Sequence, residues 1–143
     1  KKLGVEPLEK ELNVDYLETI FKKKTKSIKE TLMDQSVIAG IGNIYASEIL
    51  FKAKINPYRS VQTLKREEIK SIIKATRQIL QKSINVGGTT LQNHLQPNGK
   101  LGYFVQKLRV YGKNNKQCKK CNHLISVSII SNRSTYFCNN CQI

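Results

Sequence analysis

The feature that most constrains this chain is a set of four cysteines arranged as two CxxC pairs. Cys118 and Cys121 form the first pair, Cys138 and Cys141 form the second, and residues 122–137 lie between them. Each pair can present two thiolates to one side of an ion, and this spacing is typical of a four-cysteine zinc site on two knuckles. Because four thiolates leave no open coordination position, the pattern predicts one structural zinc ion rather than a catalytic one.

The short segment that carries the cysteines supports this interpretation. Residues 108–143 are too few to bury much apolar surface, so metal binding there would supply folding free energy. Two disulfides are the alternative, but clustered cysteines in a reducing compartment are more often metal ligands. The first residues carry no apolar run behind their lysines, which does not resemble a secretory signal, so we expect a cytoplasmic setting.

The charge of the chain points to a polyanionic partner. Lys and Arg number 25 against ten Asp and Glu, which gives a formal net charge of +15 over 143 residues. Nucleic acid and an anionic membrane surface are the two partner classes that such an excess favours. A membrane role would require a long apolar segment or a basic helix with an exposed apolar face, and the sequence has neither. We therefore expect nucleic acid and no membrane.

Apolar residues at three- and four-residue steps predict helices in the first part of the chain. Asn13 is expected to cap a helix over 13–24, and a longer helix is expected over 64–84, with Ile84 on its apolar face. The three lysines at 22–24 either contact phosphate or form a solvated helix end that the helix dipole favours.

Between these helices the sequence predicts a helix, a glycine-rich turn and a second helix. Ser27 and Glu30 match a capping box that opens the first helix, and an apolar stripe over 44–53 marks the second. Gly40 and Gly42 lie in the turn, where glycine permits positive backbone angles.

Two positions suit a phosphate on chemical grounds. Gly42 and Asn43, at the start of the second helix, offer free backbone amides and a carboxamide donor at the positive end of the dipole. The alternative is an ordinary N-cap Asn behind a turn glycine. Arg133 lies at the expected turn over 131–133. Its guanidinium either donates two hydrogen bonds to a phosphate or is simply solvated.

The last part of the chain alternates in the manner of strands, over 108–111, 124–130 and 135–137. Gly87 and Gly88 are expected to end the long helix before a glycine-rich stretch. The predicted fold is mainly α: a helix–two-turn–helix domain over 1–86, a loop and connector over 87–107, and a small four-cysteine zinc β-hairpin over 108–143.

Several sequence runs resemble formamidopyrimidine-DNA glycosylases. They are LMDQ at 32–35, AGIGNIYASEILF at 39–51, GGTTL at 87–91, GYF at 102–104, VYG at 110–112 and RSTYFC at 133–138. The order of the runs also matches that family, and together they cover about residues 25 to 143.

The resemblance implies that Asn43 and Arg133 hold the phosphates beside a damaged nucleotide while the duplex is bent. Lys29 matches a family lysine near the active site, and Glu48 a family glutamate on the second helix, although packing or ion pairing also explains both. The predicted DNA-binding residues are Asn43, Arg133, Lys29, Gly42 and Tyr45.

The resemblance also implies a loop that closes over the extruded base and contacts the altered purine edge with backbone amides. Side chains at 92–94 depart from relatives of this family, which leaves their roles in doubt, whereas the backbone amides are unaffected. The predicted recognition loop consists of Thr89, Thr90, Leu91, Gln92, Asn93 and His94.

One departure concerns catalysis. The family's nucleophile is an amino-terminal proline followed by glutamate, whose amine attacks the sugar C1′ and forms a Schiff base. This chain begins with Lys1 and Lys2, so we expect no catalytic residue in these residues and no activity from them alone.

The implied parent is a base-excision repair glycosylase and AP lyase that removes oxidised purines, such as 8-oxoguanine and formamidopyrimidines, from double-stranded DNA. We expect a cytoplasmic, nucleoid-associated monomer without a nucleotide cofactor. Two alternatives stay open: an endonuclease-eight-type glycosylase for oxidised pyrimidines, and a non-catalytic zinc-containing nucleic-acid module such as a ribosomal protein.

Overall fold

The computed structural model describes residues 3–85 and 107–143, which form helices followed by one β-hairpin. The helices are α1 (Val14–Phe21), α2 (Ile28–Leu32), α3 (Asn43–Ala53) and α4 (Arg66–Asn85), with a 3-10 turn at Val61–Thr63. Strands β1 (Ser126–Ile130) and β2 (Arg133–Phe137) pair antiparallel, with Ser128 opposite Thr135. The predicted order of helices and hairpin is confirmed. A mainly α content for the whole chain, and the boundaries near 87 and 107, stay predictions because residues 86–106 lie outside the described residues.

The local signals that start the helices are confirmed. The Asn13 side chain accepts a hydrogen bond of 2.9 Å from the backbone N–H of Tyr16 at the start of α1. Ser27 and Glu30 form both halves of a capping box at the start of α2. The expected long helix is α4, but Ile84 is 43% exposed, so its place on the buried face was predicted wrongly.

The glycine-rich turn between α2 and α3 differs from expectation at one position. Gly40 has a φ of +86°, where a side chain would be strained, as predicted. Gly42 instead has an extended backbone with a φ of −102°, so the expected positive angle is wrong there. Gly42 is the N-cap of α3 and Asn43 is its first helical residue, which also excludes Asn43 as the N-cap.

The hairpin is bounded differently from the sequence pattern. Residues 108–111, predicted as a strand, form none, because their backbone N–H groups bond to a side chain instead of a neighbouring strand. β1 begins only at Ser126, although Leu124 forms an isolated bridge with Gln117. Ser131 and Asn132 form the turn with φ values of 49° and 65°, so Arg133 already belongs to β2.

Two apolar clusters meet at the junction of the helices and the hairpin. The larger cluster unites the helices and includes Leu108, which precedes the hairpin in sequence. The smaller cluster surrounds the cysteines and includes Phe51 of α3. Leu108, from the cysteine part, is therefore buried in the helical cluster, and Phe51, from the helices, is buried in the cysteine cluster. Within the described ranges, every helix is too short or too polar to cross a bilayer.

Candidate nucleic-acid interface and metal centre

The first functional side chain to place is Asn43, at the amino end of α3. Its Nδ2 atom donates a hydrogen bond of 2.9 Å to the backbone carbonyl of Ser134 on β2. Its Oδ1 atom is buried and has no hydrogen-bond partner among the described residues. Because the Ser134 carbonyl can only accept, this bond fixes which end of the carboxamide faces the hairpin.

Arg133 lies next to this bond and is exposed at the first position of β2. The left-handed turn at Ser131 and Asn132 immediately precedes it. The Asn43–Ser134 bond therefore joins α3 to the residue that follows Arg133. The structure thus brings the two predicted phosphate-binding residues close together, with Asn43 buried and Arg133 exposed.

Lys29 is buried beneath the hairpin, with 1% of its surface exposed. Its ammonium donates a hydrogen bond of 2.8 Å to the hydroxyl of Thr135. Burial, and next the positive charge of Arg133, lower the pKa of Lys29 to about 8, against the opposing effect of Glu30. A second cation is thus held close to Arg133, where an anion would be stabilised by both.

Glu30 makes the third connection between the helices and the hairpin. Its carboxylate accepts hydrogen bonds from the backbone N–H and hydroxyl of Ser27 and from the hydroxyl of Ser131 at the hairpin turn. The Ser131 hydroxyl is the main reason that the pKa of Glu30 lies below its ordinary value. We call these three contacts, Asn43–Ser134, Lys29–Thr135 and Glu30–Ser131, the hairpin junction.

Glu48 has a role that the sequence left open between packing and ion pairing. Its buried carboxylate accepts hydrogen bonds of 2.8–2.9 Å from three consecutive backbone N–H groups, at Arg109, Val110 and Tyr111. Burial raises the pKa of Glu48, while these three donors oppose that rise. The sequence singled out Glu48 by its match to a family glutamate on the second helix, but that match did not identify the three backbone partners.

The segment that Glu48 holds reaches the hairpin through an aromatic contact. Tyr111 packs edge-on against Tyr136 of β2, with the ring centroids 4.9 Å apart. Glu48 and Tyr111 therefore connect α3 to the hairpin on the side opposite the exposed tip. Neither contact had been predicted, because the partners are far apart in sequence.

Tyr45, which the sequence predicted to contact DNA, is buried. Its side chain is 3% exposed, and its hydroxyl lies 2.6 Å from the hydroxyl of Ser83 on α4. The structure thus places the Tyr45 ring in the helical core, and its contact with DNA stays a prediction. The predicted recognition loop, 89–94, lies outside the described residues.

The four cysteines converge as the spacing predicted. All four Sγ atoms lie within 4.8 Å of one another, with 3.8 Å between Cys118 and Cys141 and 3.4 Å between Cys121 and Cys138. None forms a disulfide, for which a bond of about 2.05 Å would be needed. Four ligands at about 2.3 Å from one ion lie about 3.8 Å apart in a tetrahedron, so this cluster fits a metal ion.

The ionisation of the cysteines agrees with a cation site. A hydrogen bond from the backbone at His123 is the main reason that the pKa of Cys121 falls to about 6. Burial raises the pKa of Cys141 to about 12. Four adjacent sulfurs cannot all ionise without a compensating positive charge, which a bound metal ion provides.

The cysteine knuckles are also attached to the helices through Gln142. Its side chain accepts a hydrogen bond of 2.8 Å from the backbone N–H of Cys138 and donates one of 3.0 Å to the carbonyl of Ile55. This buried residue orients the second knuckle, and nothing in the sequence singled it out.

Comparison with known proteins places this geometry in context. The chain is 46% identical over 141 residues to the formamidopyrimidine-DNA glycosylase of Pectobacterium atrosepticum, covering 99% of this chain and 52% of that protein. It resembles Lactococcus lactis Fpg bound to DNA containing an AP site, with a TM-score of 0.87, 33% identity, and coverage of 99% and 50%. It also resembles MutM in complex with DNA containing carbocyclic 8-oxo-G, with a TM-score of 0.85, 32% identity, and coverage of 98% and 51%.

The chain spans about half the length of the curated relatives it matches. Residues 3–94 match the model of the formamidopyrimidine-DNA glycosylase H2TH domain, which includes α1 to α4 and the glycine-rich turn. This match covers more than half of the chain and agrees with the resemblance found in the sequence. The chain therefore belongs to the formamidopyrimidine-DNA glycosylase H2TH domain family.

Proposed function

We propose that this chain holds damaged duplex DNA for a base-excision repair glycosylase and AP lyase that removes oxidised purines. The observation that carries the proposal is the Asn43–Ser134 bond, which joins the amino end of α3 to the strand that bears Arg133. Relatives that bind AP-site and 8-oxo-G DNA support the same substrate class.

The proposed interface combines three sources of positive potential. The amino end of α3 presents backbone N–H groups at Gly42 and Asn43, and the helix dipole favours an anion there. Arg133 supplies a planar guanidinium that can bond two phosphate oxygens. Lys29 adds the positive charge of its ammonium from its buried position beneath the hairpin. Because the hairpin junction fixes Arg133 relative to α3, two phosphates of one strand are held at a set separation, which favours a bent duplex.

We assign the metal as zinc, held by Cys118, Cys121, Cys138 and Cys141. A four-thiolate site supplies no exchangeable position, so zinc would act only as a structural ion. It would fix the two knuckles and thereby the base of the hairpin whose tip carries Arg133. The metal would therefore contribute to DNA binding only indirectly, by fixing the hairpin that carries Arg133.

We further propose that Thr89, Thr90, Leu91, Gln92, Asn93 and His94 contact the extruded base, as the family resemblance implies. The nucleophile that attacks C1′ is assigned to none of these 143 residues. The proposed organisation is a helical domain over 1–86, the loop over 87–107 and the zinc hairpin over 108–143, in a cytoplasmic, nucleoid-associated monomer.

The test uses the full-length protein carrying Asn43→Ala or Arg133→Ala, with Lys74→Ala as a matched loss of an exposed cation. Each of the first two variants should bind an 8-oxoguanine duplex about 10- to 100-fold more weakly, because a charge-assisted phosphate bond contributes about 1.5–3 kcal/mol. Lys74→Ala should change the affinity less than about threefold. Fluorescence anisotropy measures the affinity.

Two further measurements separate the competing activities. Wild-type protein should release 8-oxoguanine faster than thymine glycol, and borohydride should trap a covalent adduct on abasic DNA. Faster release of thymine glycol would replace the purine assignment with the endonuclease-eight type. Absence of any adduct would leave a non-catalytic nucleic-acid module, and wild-type affinity in both variants would refute the proposed interface.

A further inference from the structure

A cavity of about 580 Å³ lies at the end of α3 opposite Asn43, between α3, α4 and the cysteine knuckles. Asn43 is the first residue of α3, and Lys52 lies nine residues later, so the helix rise separates them by about 14 Å. The cavity is therefore distinct from the hairpin junction. The proposed function leaves it without a role.

The wall of this cavity carries a strong excess of positive charge. The cationic residues that line it are Lys52, Lys54, Lys82, Lys107, Arg109 and Lys120. Of the described residues that line it, only Glu48 is acidic, and its carboxylate already accepts hydrogen bonds from the three backbone N–H groups described above. Among the described residues, Lys52, Lys54, Lys82 and Lys120 form no ion pair.

The chain itself offers no countercharge to this site. No Asp or Glu occurs anywhere in residues 69–143, which include the cysteine knuckles and the segment between α4 and Arg109. Glu67 and Glu68, the two acids of α4, pair with Lys70 and Arg59 instead. Charge complementarity therefore points to an anionic group from another molecule.

The interior of the cavity is apolar. Phe51, Ile79 and Leu108 contribute to its lining between the cationic side chains. A ligand that carries only charge would leave this surface uncovered, whereas one with an apolar group beside its charges would cover it and gain burial free energy. The site thus fits an amphiphilic anion.

We propose that this cavity binds an acidic peptide segment of a partner protein, with an apolar side chain seated among Phe51, Ile79 and Leu108. Duplex DNA fits less well, because its phosphates lie on a convex surface and bring no apolar group into a concavity. Single-stranded nucleic acid relies on exposed aromatic rings for stacking, and the one aromatic residue of the lining, Phe51, is only 6% exposed.

The experiment titrates zinc-loaded full-length protein into a short fluorescein-labelled peptide of consecutive aspartates ending in phenylalanine. Two comparison peptides replace either all aspartates with asparagine or the phenylalanine with alanine. Anisotropy should show saturable binding of the first peptide and at least about tenfold weaker binding of each comparison peptide, because charge and apolar burial both contribute.

The variant Lys52→Glu/Lys82→Glu should weaken peptide binding by at least about tenfold, since it reverses two charges at the cavity. Lys65→Glu/Lys74→Glu, which makes the same net charge change at exposed positions outside the lining, should leave it within about twofold. Both variants should change the affinity for damaged duplex by similar, small factors, because none of these four lysines belongs to the proposed phosphate contacts.

Three results would overturn the proposal: no saturable binding of the acidic peptide, equal losses in the two double variants, or tight binding of the asparagine peptide. A loss of duplex affinity confined to Lys52→Glu/Lys82→Glu would identify the cavity as a nucleic-acid site instead. If that variant does not fold by circular dichroism, Lys52→Gln/Lys82→Gln provides the same comparison with a smaller charge change. Base release measured in parallel tests the glycosylase assignment independently.

Discussion

The helical part and the cysteine part of this chain reach stability by different means. Helices α1 to α4 enclose a continuous apolar cluster with residues such as Leu17, Ile49 and Leu50 fully buried. The cluster around the cysteines is small. Its buried members include two of the cysteines and Phe51, which belongs to α3. The difference indicates that apolar burial is sufficient in the first part, whereas the second part relies on polar contacts and, as we propose, on a metal ion held by the four cysteines.

A consequence of this difference is that two separate features would act on the hairpin. The metal site would determine its stability, and the hairpin junction determines the position of its tip. The metal site lies at its base, whereas the hairpin junction fixes its tip through side-chain hydrogen bonds. A change in the helical core should therefore alter stability without altering metal affinity, and a change in the metal site should have the reverse effect. The following experiments test this separation, beginning with the largest effect.

Removal of the metal should have the largest consequence. Structural zinc in small domains binds with apparent free energies of about 10–16 kcal/mol, so chelation should unfold residues 112–143 while most of the helical signal remains. Far-ultraviolet circular dichroism and amide NMR spectra, recorded before and after chelation, measure the two parts. One cooperative loss of both would show that the helical part also depends on the metal.

Leu50→Ala should lower the free energy of unfolding of the helical part by about 2–5 kcal/mol, because it leaves a cavity where the side chain is fully buried. Metal affinity, measured by competition with a chromogenic chelator, should stay within about threefold. Ile129→Ala on the hairpin is the matched control, since that side chain is 62% exposed and should cost less than about 0.5 kcal/mol. A large fall in metal affinity with Leu50→Ala would contradict the separation.

Lys29→Met should produce a smaller, pH-dependent effect at the hairpin junction. The folded-state pKa of Lys29, about 8, lies below its ordinary value of 10.5, so the unfolded chain binds this proton more tightly. The protonated amine therefore costs stability below pH 8, and that cost disappears as the pH rises from 8 towards 10.5.

Relative to Lys29→Met, wild-type protein should gain about 3 kcal/mol over this range, measured by urea unfolding at several pH values. Lys74→Met, at an exposed position, serves as the control and should show no such difference. A pH-independent difference between wild type and Lys29→Met would mean that the ammonium is well solvated in the folded state.

Local sequence signals predicted much of the fold correctly. Asn13 and the Ser27–Glu30 capping box act within four residues of themselves, so their effect does not depend on tertiary structure. The CxxC spacing likewise predicted the convergence of the cysteines, because each knuckle is formed locally and a single hairpin joins the two pairs.

The errors concern contacts between distant residues. The alternation at 108–111 resembles a strand, but the Glu48 carboxylate takes the hydrogen bonds that a neighbouring strand would need. Tyr45 was predicted from its motif, and the motif did not indicate that its hydroxyl lies beside Ser83 on α4. The hairpin junction was not foreseen either, since Lys29 and Thr135 are brought together only by the complete fold. Of the candidate site, the sequence thus predicted the residues but not their mutual contacts.

The Glu48 carboxylate also has an evolutionary implication, which concerns the segment whose backbone it holds. It fixes the backbone from Arg109 onwards, and α4 fixes the chain up to residue 85. Natural selection on Glu48 would therefore act through the position of residues 109–111 rather than through any contact of Glu48 itself with DNA.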